Sequence, residues 1–394
     1  MNREVFIETI ARMNRYTISN IQLDRRDWLF PADPAVFNTN PLNVAHGATG
    51  VLYGLLKTGG DIPQSALSWL LSHEITNDEY PPGIYVGLAG MAWVFWELGL
   101  EEEALKLMDQ AEAHPLLLKS SNLSYGAAGY GMACLQFYTN TNEAKWLERA
   151  VRIGDWLIHH NHSTSTSKNY CVEPNGDTYL GLARGNSGVA LFLLYLYQIT
   201  HDKKFFEAGE AALQFDLAYL QETEEHHLSV PRGGIAAPEK VFTHYWLDGS
   251  AGISSVLWRY WSVSGNAEYY QIASSLALDL FRTFTVFPGL FRGASGLGNG
   301  LLDAYHFTGD SNYLEQAMKI GQGILLFQIH RDSGVAFPGE QLFRISTDYG
   351  TGMAGISLFL QRLINPQAEA NFHFLLTPSS IEAAGQIEGV AAHE

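Results

Sequence analysis

Apolar residues gather in seven short segments along the chain, each opened by Gly-x-x-Gly and each nearly apolar around the whole helix that it predicts. The copies are HGATGVLYGLL (Gly47, Gly50), VGLAGMAWVFWELG (Gly87, Gly90), YGAAGYGMACLQFY (Gly126, Gly129), RGNSGVALFLLYLY (Gly185, Gly188), DGSAGISSVLWRYW (Gly249, Gly252), RGASGLGNGLLDAYHFTG (Gly293, Gly296) and TGMAGISLFLQRL (Gly352, Gly355). A helix that is apolar on every face has to be buried. Between the copies lie amphipathic stretches with charged faces: EEEALKLMDQAEAH, TNEAKWLERAVRIGDWLIHH, DKKFFEAGEAALQFDLAYL and NAEYYQIASSLALDLFRTF. These predict half-exposed outer helices.

A pair of helices, one buried and one half-buried, cannot close a core alone, so the repeats must stack or curl upon each other. Seven hairpins closing into a ring predict an all-α fold, an α/α toroid with Gly-x-x-Gly at each inner helix. An internal glycine costs a helix about 1 kcal/mol relative to alanine. Fourteen glycines in matched places therefore need an architectural cause. The expected causes are close approach of the first helical turn to its neighbours and freedom from φ restrictions in the entering turn. Copies recur at about 40 to about 65 residues, as a repeat with loop insertions does. The reading is one domain over residues 1–378, with repeats from about residue 41, and a flexible tail over 379–394. Polar insertions around NHSTSTSK (161–168) and ETEEHHLSVPRGGIAAPEK (222–240) are expected to be surface loops.

Composition narrows the function. Of 394 residues, 46% are hydrophobic and 16% charged, enough apolar material for a large core and too much for a disordered chain. Lys plus Arg number 24 against 41 Asp plus Glu, a formal charge of -17, which opposes binding to nucleic acid or an anionic membrane. The longest apolar run, Ala190–Tyr197, is too short to span a bilayer, and the polar start MNREVFIETIARMNRY does not read as a signal peptide. Two cysteines, Cys134 and Cys171, are too few for a disulfide framework or a thiolate-based zinc site. A cytoplasmic protein is expected.

The residues preceding each first glycine are placed to line the centre of such a ring: His46, Val86, Tyr125, Arg184, Asp248, Arg292 and Thr351. Asp and Thr suit a helix N-terminus, whereas Arg and His oppose its dipole by about 0.3–1 kcal/mol each. One reading makes Arg184, Arg292 and His46 a cluster that stabilises negative charge on a substrate, with His46 or Asp248 moving protons. The other pairs the arginines with Asp248, Asp348 or Glu340 to hold hairpins together. Tyr125 either donates a proton or packs, and Trp246 and Phe291 either wall a substrate or fill the core. P-loop, Gly-x-Ser-x-Gly and His-Glu-x-x-His motifs are absent from the sequence, and GLGNG at Gly296–Gly300 follows no predicted strand. His159, His160 and His162 end an outer helix, where solvated imidazoles suit the dipole better than a metal site.

At these residues the chain resembles the lanthionine synthetase C-like family, over about Arg26 to Pro378. It is most similar to the cyclase domain of class III lanthipeptide synthetases, through LFPADPAVF and AHGATGVLYGL near the start and PGEQLFRISTDYGTGMAG at the close. The resemblance implies intramolecular addition of peptide Cys thiols to dehydroalanine or dehydrobutyrine, giving lanthionine or labionin rings. Zinc-dependent members carry Cys in Trp-Cys-x-Gly of the fifth repeat and Cys-His-Gly in the sixth. Here those places read Trp246-Leu247-Asp248-Gly249 and Phe291-Arg292-Gly293. Those members also place a His before the fourth-repeat glycine and an Asp four residues before the third-repeat one, where this chain has Arg184 and Asn122. The class III group shares this loss. The implied reaction is therefore without metal or cofactor, with His46, Tyr125, Arg184, Asp248 and Arg292 as catalytic candidates and Trp246, Phe291 and Asp348 as substrate-binding ones. The implied partners are a dehydrated precursor peptide and the kinase and lyase domains of a class III synthetase, in cis or in trans. Two other classes compete: a non-catalytic scaffold that binds peptide, and a carbohydrate-active α/α barrel with paired cavity carboxylates.

Overall fold

A computed structural model describes residues 3–160, 162–163, 168–171, 178–232, 241–366, 375–376, 381 and 384. Among the described residues it contains fourteen α-helices, all seven predicted inner ones included. The inner set is α2 (Ala48–Lys57), α4 (Leu88–Glu97), α6 (Ala127–Thr141), α8 (Asn186–Thr200), α10 (Ser250–Ser264), α12 (Ala294–Thr308) and α14 (Met353–Ile364). Outside them lie α3 (Gln64–Leu71), α5 (Glu101–Glu112), α7 (Ala144–His159), α9 (Lys203–Leu217), α11 (Ala267–Leu278) and α13 (Ser311–Ile324). Each inner helix packs on the next, and α14 packs on α2, so the ring is closed. The seventh outer helix comes from the N-terminus: α1 (Arg3–Ser19) buries Phe6, Ile10, Met13 and Tyr16 and packs on α14. That closure places residues 3–19 inside the repeat count, although they precede the first Gly-x-x-Gly.

The motif glycines are explained by space. Each first glycine is the N-cap of its inner helix, with φ between -93° and -158°, an extended backbone open to any residue. Freedom in φ is thus not the cause. A Cβ on the second glycine would lie 1.8–2.3 Å from the carbonyl oxygen six residues earlier: Val44 for Gly50, Ile84 for Gly90, Trp246 for Gly252 and Tyr349 for Gly355 among them. The entering strand folds flat against the first helical turn, and only a hydrogen fits between.

That turn carries a second regularity. The residue two places before each first glycine donates its N–H to the counterpart in a neighbouring repeat. The bonds run Ala45 to Tyr85 (2.8 Å), Tyr85 to Ser124 (2.8 Å), Ser124 to Ala183 (2.9 Å), Ala183 to Leu247 (2.9 Å), Leu247 to Phe291 (3.4 Å), Phe291 to Gly350 (2.8 Å) and Gly350 back to Ala45 (2.8 Å). Seven peptide groups form an unbroken ring at the N-terminal end of the inner barrel. Backbone groups in this position satisfy one another, as burial requires.

Toward the other end, a buried ionic network crosses four inner helices. Asp303 on α12 accepts from Arg259 (2.9 Å) and Ser255 (2.5 Å) of α10 and from Arg362 of α14 (2.7 Å), while Arg259 Nε donates to the Tyr195 hydroxyl of α8 (3.0 Å). The insertion at 222–240 is more than a loop where it is described: Gln221–Glu222, Leu228–Pro231 and Phe242–Thr243 form a small antiparallel sheet, with Ser229 and Val230 buried. Most of NHSTSTSK lies outside the described residues, as does the tail from Ser379 apart from Ile381 and Ala384. No described helix is long and apolar enough to cross a membrane.

Candidate active site

The backbone ring sets the residues before each first glycine around one end of the barrel, and their side chains sort into three groups. The first sits at the seam of the first and seventh repeats. Asp348 is fully buried there and its carboxylate is crowded with donors. Oδ1 accepts from the N–H of Thr351 (2.7 Å) and of Gly352 (3.1 Å), and Oδ2 from the Ser346 hydroxyl (2.7 Å) and the Asp33 N–H (2.9 Å). The Thr351 hydroxyl lies 3.0 and 3.1 Å from the two oxygens. His46 Nδ1 stands 3.8 Å from Asp348 Oδ2, an ion-pair contact too long for a hydrogen bond.

Charge at this seam is mutually adjusted. Burial opposes ionisation of Asp348, but His46, the Asp33 N–H and Ser346 outweigh it and hold the carboxyl below the usual carboxylate range. Burial likewise opposes the imidazolium of His46; the charges of Asp348, Asp33 and Glu340 outweigh it and raise its proton affinity above that of an ordinary imidazole. Burial pushes Asp33 and Glu340 up instead, so two further acids near His46 hold their protons more tightly than free carboxyls.

The second group joins the fifth and sixth repeats, where Arg292 Nη2 lies 3.0 Å from Asp248 Oδ2 and the Thr243 hydroxyl donates to Asp248 Oδ1 at 3.2 Å. The third is a cation over aromatic rings: the Arg184 guanidinium lies 3.6 Å from the centroid of Tyr179 and 5.8 Å from that of Tyr125. Trp246 and Phe291 are buried. Phe291 meets Tyr85, Tyr349 and His46 edge-on at centroid distances of 5.0, 5.8 and 6.2 Å, so these rings form the aromatic floor beneath the site. Asp348, with its oxygens occupied and no exposed surface, stands behind His46 rather than in front of a substrate.

Several participants carried no readable signal in the sequence. Asp33 lies within LFPADPAVF, yet nothing in its spacing predicts that its N–H meets Asp348. Tyr179 sits five residues before Arg184 in a stretch without pattern. Asn122 accepts from the Tyr125 N–H at 3.0 Å, the turn-pinning role that Asp348 plays toward Thr351. A further polar hub was missed altogether. Buried Asp279 accepts from Ser229 (2.6 Å), Ser250 (2.6 Å), His244 Nδ1 (2.7 Å) and His227 Nε2 (3.1 Å). Both imidazoles point their nitrogens at the carboxylate, which is hydrogen bonding and not convergence on an ion. His159 and His160 turn Nδ1 to the carbonyls of Asp155 and Trp156, and the side chain of His162 lies outside the described residues. Among the described residues no group of three or more His, Cys, Asp and Glu side chains is placed to hold a metal ion. Cys134 is buried within α6, where burial pushes its thiol up to about 12, and Cys171 is buried with its thiol toward the Gly185 carbonyl at 3.4 Å.

The profile of the family described as lanthionine synthetase C-like protein matches residues 71–377. The chain belongs to that family. A probable SapB synthase of Streptomyces coelicolor is 31% identical over 361 residues, covering 90% of this chain and 37% of its own length. The chain thus spans little more than a third of that relative. Among solved structures, nisin cyclase superimposes with a TM-score of 0.63 at 15% identity, covering 87% of this chain and 92% of its own. An α-1,6-mannanase of Salegentibacter gives 0.51 at 13% identity, covering 92% of this chain and 98% of its own. At such identities both show the toroid alone, and the nisin cyclase likeness agrees with the fold expected from the seven repeats.

Proposed function

We propose that the chain is a zinc-independent lanthipeptide cyclase that joins Cys thiols of a dehydrated precursor peptide to dehydroalanine or dehydrobutyrine, forming lanthionine or labionin rings. The observation that carries the reading is the sixth-repeat turn. The backbone of Leu247 meets that of Phe291 (3.4 Å), which sets the fifth- and sixth-repeat turns that carry the zinc ligands in metal-dependent members side by side. They bear Leu247, Phe291 and Arg292, two apolar side chains and a guanidinium, and this set does not fit a zinc ion. A cation in that place favours a thiolate by charge alone.

The chemistry needs three events. A thiol loses its proton to a base, the thiolate adds to the β-carbon of the dehydroamino acid while the π electrons move onto the carbonyl oxygen, and the α-carbon of the resulting enolate takes a proton. Arg184 and Arg292 are the groups assigned to the thiolate and enolate charge, and His46 to the proton; Asp248 and Tyr125 are the alternates. In labionin formation the enolate attacks a second dehydroalanine before protonation. Kinase and lyase modules, in cis or in trans, would supply the dehydrated peptide, in keeping with the greater length of the SapB synthase relative. The cytoplasm suits a reaction that needs free thiols.

Two observations favour a second reading, a scaffold that binds peptide without reacting: Asp248 already engages Arg292, and Tyr179 already stacks on Arg184. Incubation of the chain with a dehydrated precursor peptide separates the two. Loss of alkylatable thiol at unchanged mass supports the cyclase, with Arg184→Ala and Arg292→Ala leaving linear peptide. Retention of thiol by bound peptide supports the scaffold.

A further inference from the structure

We propose that Asp348 is a positioning residue for His46: clamped by the N-terminal arm, it holds the imidazole with Nδ1 turned inward, so that Nε2 presents the exchangeable proton to the reacting peptide. This deepens the cyclase reading and rests on it for its reactive part. The arm comes first in the argument. Pro31 O accepts from both the N–H (2.7 Å) and the hydroxyl (2.8 Å) of Thr347, and the Asp33 N–H reaches Asp348 Oδ2 at 2.9 Å. Residues 31–33 therefore lock the seventh-repeat turn, and with four other donor groups on its oxygens Asp348 has no freedom to swing toward a ligand.

His46 is held from three sides. Its backbone N–H donates to Asn43 Oδ1 at 2.7 Å, its ring lies edge-on to Phe291, and Nδ1 faces Asp348. Nδ1 is buried and, among the described residues, has no hydrogen-bond partner, whereas the side chain as a whole is 15% exposed. The exposed edge is therefore the one away from Nδ1. A buried carboxylate behind one ring nitrogen favours a proton on that nitrogen and leaves the other to exchange protons outward, which is the division of labour in aspartate–histidine pairs. The charged groups facing His46 are Asp348 from the turn before α14, Asp33 from the arm and Glu340 from the segment before that turn. Arg344 acts on Asp33, and Arg292 on Glu340, as the nearby cations.

The test is an imidazole-15N NMR titration of His46 in the full chain, with thioether formation followed alongside. In Asp348→Asn the proton affinity of His46 should fall about tenfold, a shift of about one pH unit. The cyclisation rate should fall alongside, with kcat lowered and KM nearly unchanged. An unmoved His46 midpoint in a folded Asp348→Asn chain would overturn the proposal. The unaltered protein gives a second test that does not depend on the variant folding: neutral His46 should carry its proton on Nδ1, and an Nε2–H tautomer would overturn it as well. Because the titration reads His46 directly, absence of ring closure in every sample would count against the cyclase reading and leave the His46 result standing.

Discussion

Arg292 donates from Nη2 to Asp248 Oδ2 at 3.0 Å, joining the residue before the first glycine of the sixth repeat to its counterpart in the fifth. The two side chains are 49% and 37% exposed, so solvent screens their attraction. A pair of this kind contributes about 0–1 kcal/mol to folding. A double-mutant cycle with Arg292→Ala and Asp248→Ala in urea should return a coupling energy within that range. Ring formation should fall about 100-fold or more in Arg292→Ala, if the guanidinium meets developing charge during the reaction. A coupling of several kcal/mol with unchanged cyclisation would make the pair a structural clamp instead.

Gly90 and Gly99 separate two uses of glycine. A Cβ at Gly90 would lie 1.8 Å from the Ile84 carbonyl oxygen, which is backbone and cannot rotate away, whereas Gly99, at φ +78°, has nothing within 4 Å. Gly90→Ala should cost several kcal/mol or prevent folding, because the entering strand must be forced off the helix. Gly99→Ala should cost only about 1 kcal/mol, the strain of a left-handed backbone. Urea midpoints of the two variants check this, and equal losses would refute the close-approach explanation.

The seven inner helices were legible because two signals coincide in them, all-round apolarity and a motif whose glycines have no freedom to change. The outer helices α5, α7, α9 and α11 were legible from amphipathic period alone. The role of α1 was not, because it packs on α14, more than 330 residues away, and no local pattern reports such a partner. The positions before each first glycine were readable as one ring because repetition numbers them. What each side chain touches was not: Asp348 meets Asp33, and Arg184 meets Tyr179, through loops whose paths obey no period. Asp279 carried no signal of its own, because the small sheet that sets His227 and Ser229 against it has no local period.

Asp303 compensates two arginines in the interior, and all three are buried or nearly so. Removing one member of such a network leaves a charge without its partner and costs about 3–5 kcal/mol, whereas replacing the whole set by apolar residues of like volume is often neutral. Asp303→Asn should therefore lower the urea midpoint sharply. The triple change Arg259→Met, Asp303→Leu, Arg362→Met should recover most of the loss, and failure to recover would mean that the hydrogen bonds to Tyr195 and Asn299 carry the stability.

Asp279 gives a stability change with a defined sign. Burial opposes its ionisation, but hydrogen bonds and charge from His244, with Ser229 and Ser250, hold its carboxyl down at about 2 against an ordinary 3.8. The folded state then binds the proton more weakly than the unfolded one, so the stabilisation, ~2 kcal/mol, is complete above the unfolded value and is lost as pH falls from about 4 toward 2. His46 runs the other way: its raised affinity stabilises fully below an unfolded value of about 6.5 and is lost as pH rises through the folded value. Denaturant melts of Asp279→Asn should show a flattened acid limb between pH 4 and 2, and an unchanged limb would remove Asp279 from the acid response.

Leu247, Phe291 and Arg292 also make a prediction about metal. If charge from arginine takes the place of zinc, the attacking peptide thiol keeps an affinity for its proton nearer the free value of about 8.5, whereas a zinc-bound thiol is ionised well below neutrality. The rate of ring closure should then climb with pH through about 8, remain the same with a chelator present, and show no dependence on added zinc. Loss of activity on chelation with recovery on zinc would refute this directly. The converse can be built. Leu247→Cys, Phe291→Cys and Arg292→His together restore the ligand types of zinc-dependent members at positions whose backbones this fold already joins. That variant should bind close to one equivalent of zinc by elemental analysis, while the unaltered chain binds none after the same dialysis. Failure of the variant to hold metal would mean that the three side chains do not converge at this junction.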